Sequence, residues 1–389
     1  MPRRLLLSVL VLVFAAAPGG SRRKARDPSP EPPDAVPEAP PRPEVTDLFP
    51  DGLPVDLGRI PEGLANLSAQ GCNACHYGAH DGWAASTHAV GWTSAAFRDA
   101  VEAAQMPACK VCHLPLAVQS PDQLLYLEGA PNDPDARPNL EYDATLHAEG
   151  VTCAACHIRD GQVVGARPEG EAPHPVAHSP SMRTSAFCAP CHQLTWPGAD
   201  RPLYDTFGEW ERSPQGRAGI QCQDCHMGPG AGAARLGPNH AFPASPARAV
   251  SLLLHLDGVD LVRGGDPLVA TIRLQNTGAG HAFPTGSPFR AVQMRAALVG
   301  PPAKEGEAPT EASVFTVDLG RTLEAEPPFR TVEDTRLGPG GERSWSWEPR
   351  LDLASPGGEW RLEVTLTEVV RGAPSAEPFL VRWVPLRVD

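Results

Sequence analysis

The chain has 389 residues, enough for two or three domains. It has 33 Lys and Arg against 46 Asp and Glu, and the formal net charge of −13 argues against a nucleic-acid partner, since neutralising phosphates needs a basic surface. Aromatic residues make up only 6%, yet there are 13 histidines and 10 cysteines. This composition predicts a core filled partly by something other than side chains.

The N-terminus has the pattern of a signal peptide over residues 1–20. Two arginines precede a short apolar run that ends in small residues. The run is short for a membrane span, although the basic SRRK after it leaves an uncleaved N-terminal membrane anchor as the alternative. No other segment is apolar enough to span a bilayer. The protein is therefore expected to be exported, to the periplasm or to the outer surface.

The rest of the chain divides into three parts by composition. Residues 21–50 are rich in proline and charge, which predicts a disordered linker. Residues 51–247 contain every cysteine and show short, broken helical patterns, for example over 93–105, which predict a mainly α or irregular domain. Residues 248–389 contain seven short, often alternating runs separated by turn residues, which predict an antiparallel immunoglobulin-like β-sandwich.

All ten cysteines fall into C-x-x-C-H units. The spacing is the attachment signature of c-type haem, in which both thiols bind the haem covalently and the next histidine ligates the iron. The units predict five covalent haem c groups with iron as the metal. The predicted attachment residues are Cys72, Cys75, Cys109, Cys112, Cys153, Cys156, Cys188, Cys191, Cys222 and Cys225. The predicted proximal iron ligands are His76, His113, His157, His192 and His226.

Disulfides and zinc are the two alternatives. Exported proteins oxidise their cysteines, and paired C-x-x-C units form Cys₄ zinc sites. Neither alternative explains a histidine after every unit, and five is an odd number for paired zinc sites. Because the units are packed into residues 72–226, the porphyrins are expected to form the core and to lie close enough together to conduct electrons.

Eight histidines remain as candidates for the second axial position. Only five methionines occur and one is Met1, so bis-histidine ligation is expected. Of His174 and His178, four residues apart, one is expected to be a ligand, and it is assigned to His178. His80 and His255 are expected not to ligate iron. The predicted distal ligands are His88 (on a short helix), His147, His178, His240 and His281.

The tetrapeptide HAFP occurs at 240–243 and again at 281–284. In the first copy we expect His240 to face a haem, with Phe242 on the porphyrin. Glycines at 278, 280 and 286 allow the second copy to approach another segment closely. One hypothesis is that His281 reaches a haem from the β-domain, which docks through this loop. The alternative is a locally hydrogen-bonded histidine within the sandwich.

The words around the cysteines resemble a known family. CKVCHLPLAVQSP, EGVTCAACHIRDG, HPVAHSPSMRTSAFCAPCHQ and YDTFGEWERSPQGRAGIQCQDCHM are similar to the cytochrome c554 / hydroxylamine oxidoreductase-like multihaem cytochromes c, over residues 70–243. The resemblance implies electron transfer, and distal ligation by His88 and by a histidine after the last unit. The strand-rich segment with NTGAGHAFPTG resembles C-terminal domains attached to some multihaem cytochromes.

Enzymes also occur in that group, but this chain departs from them. It has no C-x-x-C-K unit and five units rather than eight. An electron carrier is therefore favoured, with redox partner proteins such as other cytochromes, quinol-linked donors or terminal reductases. The alternative is a reductase acting on a small nitrogen or sulfur oxyanion at one open haem. A docking role for the strand-rich segment is a third hypothesis.

Overall fold

The structure is a computed structural model, and it describes residues 54–95, 97–98, 109–122, 138–167, 172–196, 198–228, 237–257, 260–261, 268–351, 355, 357–370 and 373–388. All of these belong to one unit, Arg42–Asp389. The predicted signal peptide (1–20), the predicted linker (21–50) and most of the predicted helix at 93–105 lie outside the described residues. No helix within the described ranges is long and apolar enough to cross a membrane.

The cysteine segment, residues 51–247, is built from short helices joined by turns. Of those described, only α1 has more than two turns, so the others cannot bury a long apolar stripe of their own. The helices are α1 (Ala69–Ala84), α2 (Lys110–His113), α3 (Ala144–Glu149), α4 (Cys153–His157), α5 (Ala189–His192), α6 (Thr206–Glu211), α7 (Pro214–Arg217), α8 (Cys222–His226) and α9 (Pro246–Ala249). Short 3₁₀ helices cover Ala117–Gln119, Pro180–Arg183 and Ser185–Cys188.

Side-chain caps hold the longest helix in place. The Ser68 hydroxyl accepts a hydrogen bond from the Gly71 N–H at 3.0 Å, as expected of an N-cap serine. The Glu149 carboxylate accepts the Ala69 N–H at 2.9 Å and the Thr152 hydroxyl at 2.5 Å. These bonds tie the start of α1 to the residues before α4, so the first and third C-x-x-C-H units are held side by side.

A small sheet that the sequence did not predict supports α4. Its strands are β1 (Ile158–Arg159), β2 (Gln162–Gly165) and β3 (Val176–His178), with β1 antiparallel and β3 parallel to β2. The apolar side chains around it form a cluster that includes Leu57, Leu116, Ala154 and Ile158, each at most 5% exposed. The cysteine segment therefore has a modest side-chain core of its own around the third unit.

The strand segment, residues 248–389, contains all seven runs that the sequence marked as strands. Several further short strands join them. The bounds are β4 (Val250–Asp257), β5 (Asp260–Leu261), β6 (Val269–Asn276), β7 (Arg290–Gly300), β8 (Thr310–Leu319), β9 (Arg321–Leu323), β10 (Thr331–Asp334), β11 (Glu342–Trp347), β12 (Trp360–Val370), β13 (Ala373–Pro374) and β14 (Leu380–Val388).

Two mainly antiparallel sheets share one core in this segment. The smaller has the order β11-β6-β4, and the larger has the order β5-β14-β12-β7-β8, with β13 paired to β12. Among the strand pairings described in this segment, the short β14–β5 pairing is parallel and the others are antiparallel. Ile272 and Leu274 of the smaller sheet pack in one cluster with Met294, Val364 and Leu366 of the larger sheet, all fully buried. The antiparallel sheets agree with the sequence analysis, while the immunoglobulin-like arrangement stays a prediction.

The β9–β10 hairpin meets the cysteine segment directly. Phe329, in the turn of the hairpin, packs edge-on against Trp196 with ring centroids 5.1 Å apart, and Leu203 lies in the same cluster. The Arg321 guanidinium donates to the backbone carbonyls of Pro202 and Leu203 at 3.0 and 3.1 Å. Apolar packing and charge-assisted hydrogen bonds therefore hold the two segments against each other at this point.

Candidate functional site

Each C-x-x-C-H unit lies on a helix. The first is inside α1, and each of the other four ends at the histidine of a one-turn helix, with Cys109 and Cys188 directly before α2 and α5. With 3.6 residues per turn, residues spaced by three and four fall on the same helix face. Both thiols and the imidazole of a unit are therefore directed to one side. None of the ten cysteines is paired in a disulfide.

Cysteines from different units meet in the interior. Their side chains interact in three pairs: Cys72 with Cys153, Cys112 with Cys191, and Cys188 with Cys222. The interaction with the partner thiol lowers the pKa of Cys72 and of Cys222 below the usual thiol value. The first unit thus lies beside the third, and the fourth lies beside both the second and the fifth. The units converge on a shared interior.

Four of the five unit histidines face a second histidine at nearly the same distance. The ring centroids are 6.3 Å apart for His76 and His174, 6.2 Å for His157 and His240, 6.4 Å for His192 and His88, and 6.3 Å for His226 and His281. An imidazole nitrogen lies about 2 Å from a metal that it ligates and about 1.2 Å from its ring centroid, so two imidazoles on opposite sides of one metal have centroids about 6.4 Å apart. The four pairs match that spacing.

Backbone carbonyls fix the protonation of several rings. A carbonyl oxygen only accepts, so a ring nitrogen bonded to it carries the proton, which leaves Nε2 free to ligate a metal. In the pairs, Nδ1 of His157, His240, His281 and His226 contacts a carbonyl at 2.9, 2.9, 3.0 and 3.2 Å. The same contact occurs at 2.6 Å for His113 and 2.7 Å for His147. These rings are therefore prepared as ligands through Nε2.

Burial also favours the neutral form of six of the histidines. Desolvation lowers the pKa of His192 to about 4, with smaller contributions from neighbouring histidines. Desolvation is also the largest cause of the lowered pKa values of His88, His113, His157, His240 and His281. Neutral imidazole is the metal-binding form. The donor set thus fits an iron porphyrin: two imidazoles face each other at the spacing of a metal's opposite ligands, and the two cysteines of a C-x-x-C-H unit lie beside one imidazole of each pair.

The structure favours His174 where the sequence analysis had chosen His178. His174 faces His76, and its Nδ1 is buried with no hydrogen-bond partner. His178 is the last residue of β3, in register with Gly165, and faces no unit histidine in the described part of the chain. The assignment therefore changes, because the chain between β2 and β3 brings the earlier histidine, rather than the later one, to the first unit.

We expect His174→Ala to convert one low-spin iron to high spin, because it removes the imidazole opposite His76. His178→Ala is the matched control, four residues away, and is expected to leave every iron low-spin. Electronic absorption and electron paramagnetic resonance spectra of the two ferric variants make the comparison. A spectral change in the His178 variant alone would reverse the assignment.

His113 of the second unit is the exception. None of the other twelve histidines, all within the described ranges, faces it at the 6.2–6.4 Å spacing of the four pairs. Instead, the Phe97 ring stacks on the His113 ring, with centroids 3.5 Å apart. His147, which the sequence analysis assigned as a distal ligand, lies between Trp92 and Tyr142, with centroids 5.1 and 5.6 Å away. His147 thus has a free Nε2 but does not face a unit histidine.

His88, predicted on a short helix, lies instead in a run of turns after α1. Phe242 packs edge-on against it at 4.5 Å and against His240 at 6.1 Å, so this ring fills the space between two imidazoles. His80 contacts Trp83 at 5.7 Å, and the exposed His255 contacts Asp257 at 3.1 Å. Neither of these last two faces a unit histidine in the described structure.

The histidines of both HAFP copies face a unit histidine, whereas the phenylalanines of the two copies lie in different surroundings. Phe242 packs on imidazoles, whereas Phe283 is buried in the core of the strand segment and exchanges two backbone hydrogen bonds with Leu337. The close approach comes from Gly280, where an added Cβ would lie 3.1 Å from the Gln215 side chain. The second copy is therefore anchored in the strand segment while its histidine points across the boundary at His226.

No protein-family model and no curated protein matches the sequence. Among solved structures, the chain resembles a penta-heme cytochrome c552 from Thermochromatium tepidum, with a TM-score of 0.57 and 19% identity, over 84% of this chain and 100% of that chain. The matched 84% of this chain is longer than the cysteine segment, so the likeness extends into the strand segment. At this identity it shows a shared fold.

Two other solved structures have much lower TM-scores and do not indicate a shared fold. AvmM, which catalyses macrocyclization in alchivemycin A biosynthesis, has a TM-score of 0.24 and 7% identity, over 36% of this chain and 89% of that chain. The sporulation control protein Spo0M from Bacillus subtilis has a TM-score of 0.22 and 14% identity, over 36% of this chain and 49% of that chain.

Proposed function

We propose that this protein is an exported multihaem c-type cytochrome that carries electrons through five covalently bound haems. The observation that carries the proposal is the spacing of 6.2–6.4 Å in four histidine pairs, each containing the histidine of a C-x-x-C-H unit. The fold shared with a penta-heme cytochrome supports it. Haem iron, once bound, supplies one-electron redox chemistry.

The chain's own residues hold the groups in this proposal. The ten unit cysteines form the covalent attachments, and the five unit histidines are the proximal ligands. The distal ligands in the four pairs are His174 for the first unit, His240 for the third, His88 for the fourth and His281 for the fifth. Bis-histidine ligation leaves no position for a substrate at these four irons, which suits electron transfer rather than catalysis.

The proposed location is the periplasm or the outer surface, reached through the N-terminal signal segment, with membrane anchoring if that segment is not cleaved. The proposed partners are redox proteins such as other cytochromes, quinol-linked donors or terminal reductases. The net charge of −13 favours partners with a basic docking surface, since complementary charge accelerates encounter. The immunoglobulin-like character of the strand segment and the c554-like grouping are part of the same proposal.

A potentiometric titration followed by absorption spectroscopy tests the proposal. We expect several overlapping one-electron waves at low potential, with at least four of five irons low-spin in both oxidation states. A matched titration in the presence of nitrite or sulfite is expected to leave those waves unchanged. A protein with a single wave, or with mostly high-spin iron, would contradict the electron-transfer proposal.

A specific observation also favours a second candidate, a reductase with one open haem. Among the histidines of the structure, none faces His113 at the paired spacing, so the second unit is the place for such an iron. In that case the substrate would be a small nitrogen or sulfur oxyanion. Binding of one nitrite or carbon monoxide per chain to the resting wild-type protein would favour this candidate. If His147 ligates the iron of the second unit once haem is bound, that iron is not open and this candidate function is excluded.

A further inference from the structure

The strand segment reaches the fifth unit through one short loop. His281 lies in this loop, faces His226, and belongs to the strand segment, while His226 belongs to the cysteine segment. The carbonyl of His281 accepts a hydrogen bond from the buried Asn276 side chain at 2.8 Å. The backbone of the loop is thus held by a residue of the strand segment itself.

Glu209 of α6 makes that connection. Its Oε2 accepts hydrogen bonds from the Ala282 N–H at 3.0 Å and from the Thr285 hydroxyl at 2.8 Å. The Ala282 carbonyl in turn contacts Nδ1 of His281 at 3.0 Å, which orients the imidazole. A single residue, Ala282, therefore joins the Glu209 carboxylate to the ring of His281, through its N–H on one side and its carbonyl on the other.

Arg336 holds the carboxylate itself. Its guanidinium lies 2.9 Å from Glu209 Oε1 and 2.9 Å from Asp334, and the side chains of Glu209 and Arg336 are only 9% and 13% exposed. Burial acts to lower the pKa of Arg336, but the bond to Asp334 and the charge of Glu209 outweigh it and raise the pKa above its usual value. A buried, paired carboxylate of this kind has one rigid position.

We infer that Glu209 is a positioning residue for the fifth iron: by holding the 281–285 loop across the boundary, it keeps His281 in ligation. The inference rests on the proposed function, since it requires iron between His226 and His281. The hydrogen bonds of Glu209 go to the loop rather than to either imidazole, so it acts through residue Ala282. Loss of its carboxylate removes two of the loop's hydrogen bonds to α6, leaves the contact between the Thr206 and Thr285 hydroxyls, and leaves the fifth iron partly five-coordinate.

The test uses the intact haem-loaded protein and the variants Glu209→Ala and Glu209→Gln. Glu311→Ala is the matched control, since Glu311 pairs with Arg295 on the surface of the strand segment. For Glu209→Ala we expect at least about a tenfold rise in the high-spin fraction of one iron, and one more carbon monoxide bound per chain than in wild type. The amide of Glu209→Gln still accepts from Ala282, so its effect is expected to be smaller in the same direction.

Haem content per chain is measured alongside, so that loss of a haem is distinguished from loss of a ligand. If Glu209→Ala does not fold, Glu209→Gln carries the test, with at least about a threefold rise expected. Unchanged spectra in the folded Glu209 variants, while His281→Ala becomes high-spin, would overturn the inference and leave the ligand assignment standing. Unchanged spectra in His281→Ala itself would instead remove the ligand assignment.

Discussion

Replacing Cys153 and Cys156 with alanine is expected to reduce the covalent haem content from five to four and to destabilise the protein severely. The third unit lies among the most buried parts of the cysteine segment, where Ala154 and Ala155 between the cysteines are 2% and 4% exposed. Losing the haem there would leave a cavity larger than the one left by an aromatic-to-alanine substitution. We therefore expect a loss above about 5 kcal/mol in the free energy of unfolding.

The matched comparison is the variant with both cysteines of the fifth unit replaced, Cys222→Ala and Cys225→Ala. It also loses one haem, but Cys225 is exposed and the two residues between the cysteines are polar. We therefore expect a clearly smaller loss of stability than in the third-unit variant. Thermal unfolding and haem quantification on both proteins make the comparison. Equal losses would mean that the porphyrins do not form the core.

The His281→Ala variant is expected to retain five covalent haems while one iron becomes high-spin. The imidazole faces His226 at 6.3 Å with the two rings only 16° from parallel, and none of the other histidines, all of which lie within the described ranges, faces His226 at this spacing. The exposed His255 belongs to the same segment, and His255→Ala is expected to leave all irons as in wild type.

The outcome decides how the two segments are related. A high-spin iron in the His281 variant means that the strand segment supplies a ligand to the cysteine segment and is part of the redox unit. Five unchanged spectra would mean that the loop is only a conformational feature of the strand segment. Removing one distal imidazole is expected to change about one fifth of the haem absorbance, well within the sensitivity of optical spectra.

The sequence alone predicted the elements that depend on local pattern. The five C-x-x-C-H units are read from spacing, and the seven main strands follow from alternating apolar residues bounded by turns. The small β1–β3 sheet was missed because its strands have only two to four residues, too few for a periodic pattern. The β9–β10 hairpin was missed for the same reason.

The ligand partners depended on contacts between distant parts of the chain. The structure selects His174 over His178 because Gly63 packs directly against Pro173 and His174, where an added Cβ would lie 2.8 Å from the Pro173 carbonyl. Nothing in HPVAHSP distinguishes the two histidines. Likewise Glu209 and Glu211 are equivalent in the word GEWER, and only the fold places Glu209 at the boundary and Glu211 in solvent.

The mass of the intact protein, purified from a host that attaches c-type haem, tests the central claim most directly. The account predicts a mass that exceeds the mature polypeptide by five haem groups, with no cysteine available to alkylating reagents after unfolding. A mass equal to the polypeptide alone, or ten cysteines that react after reduction, would contradict the claim that the five units carry haem.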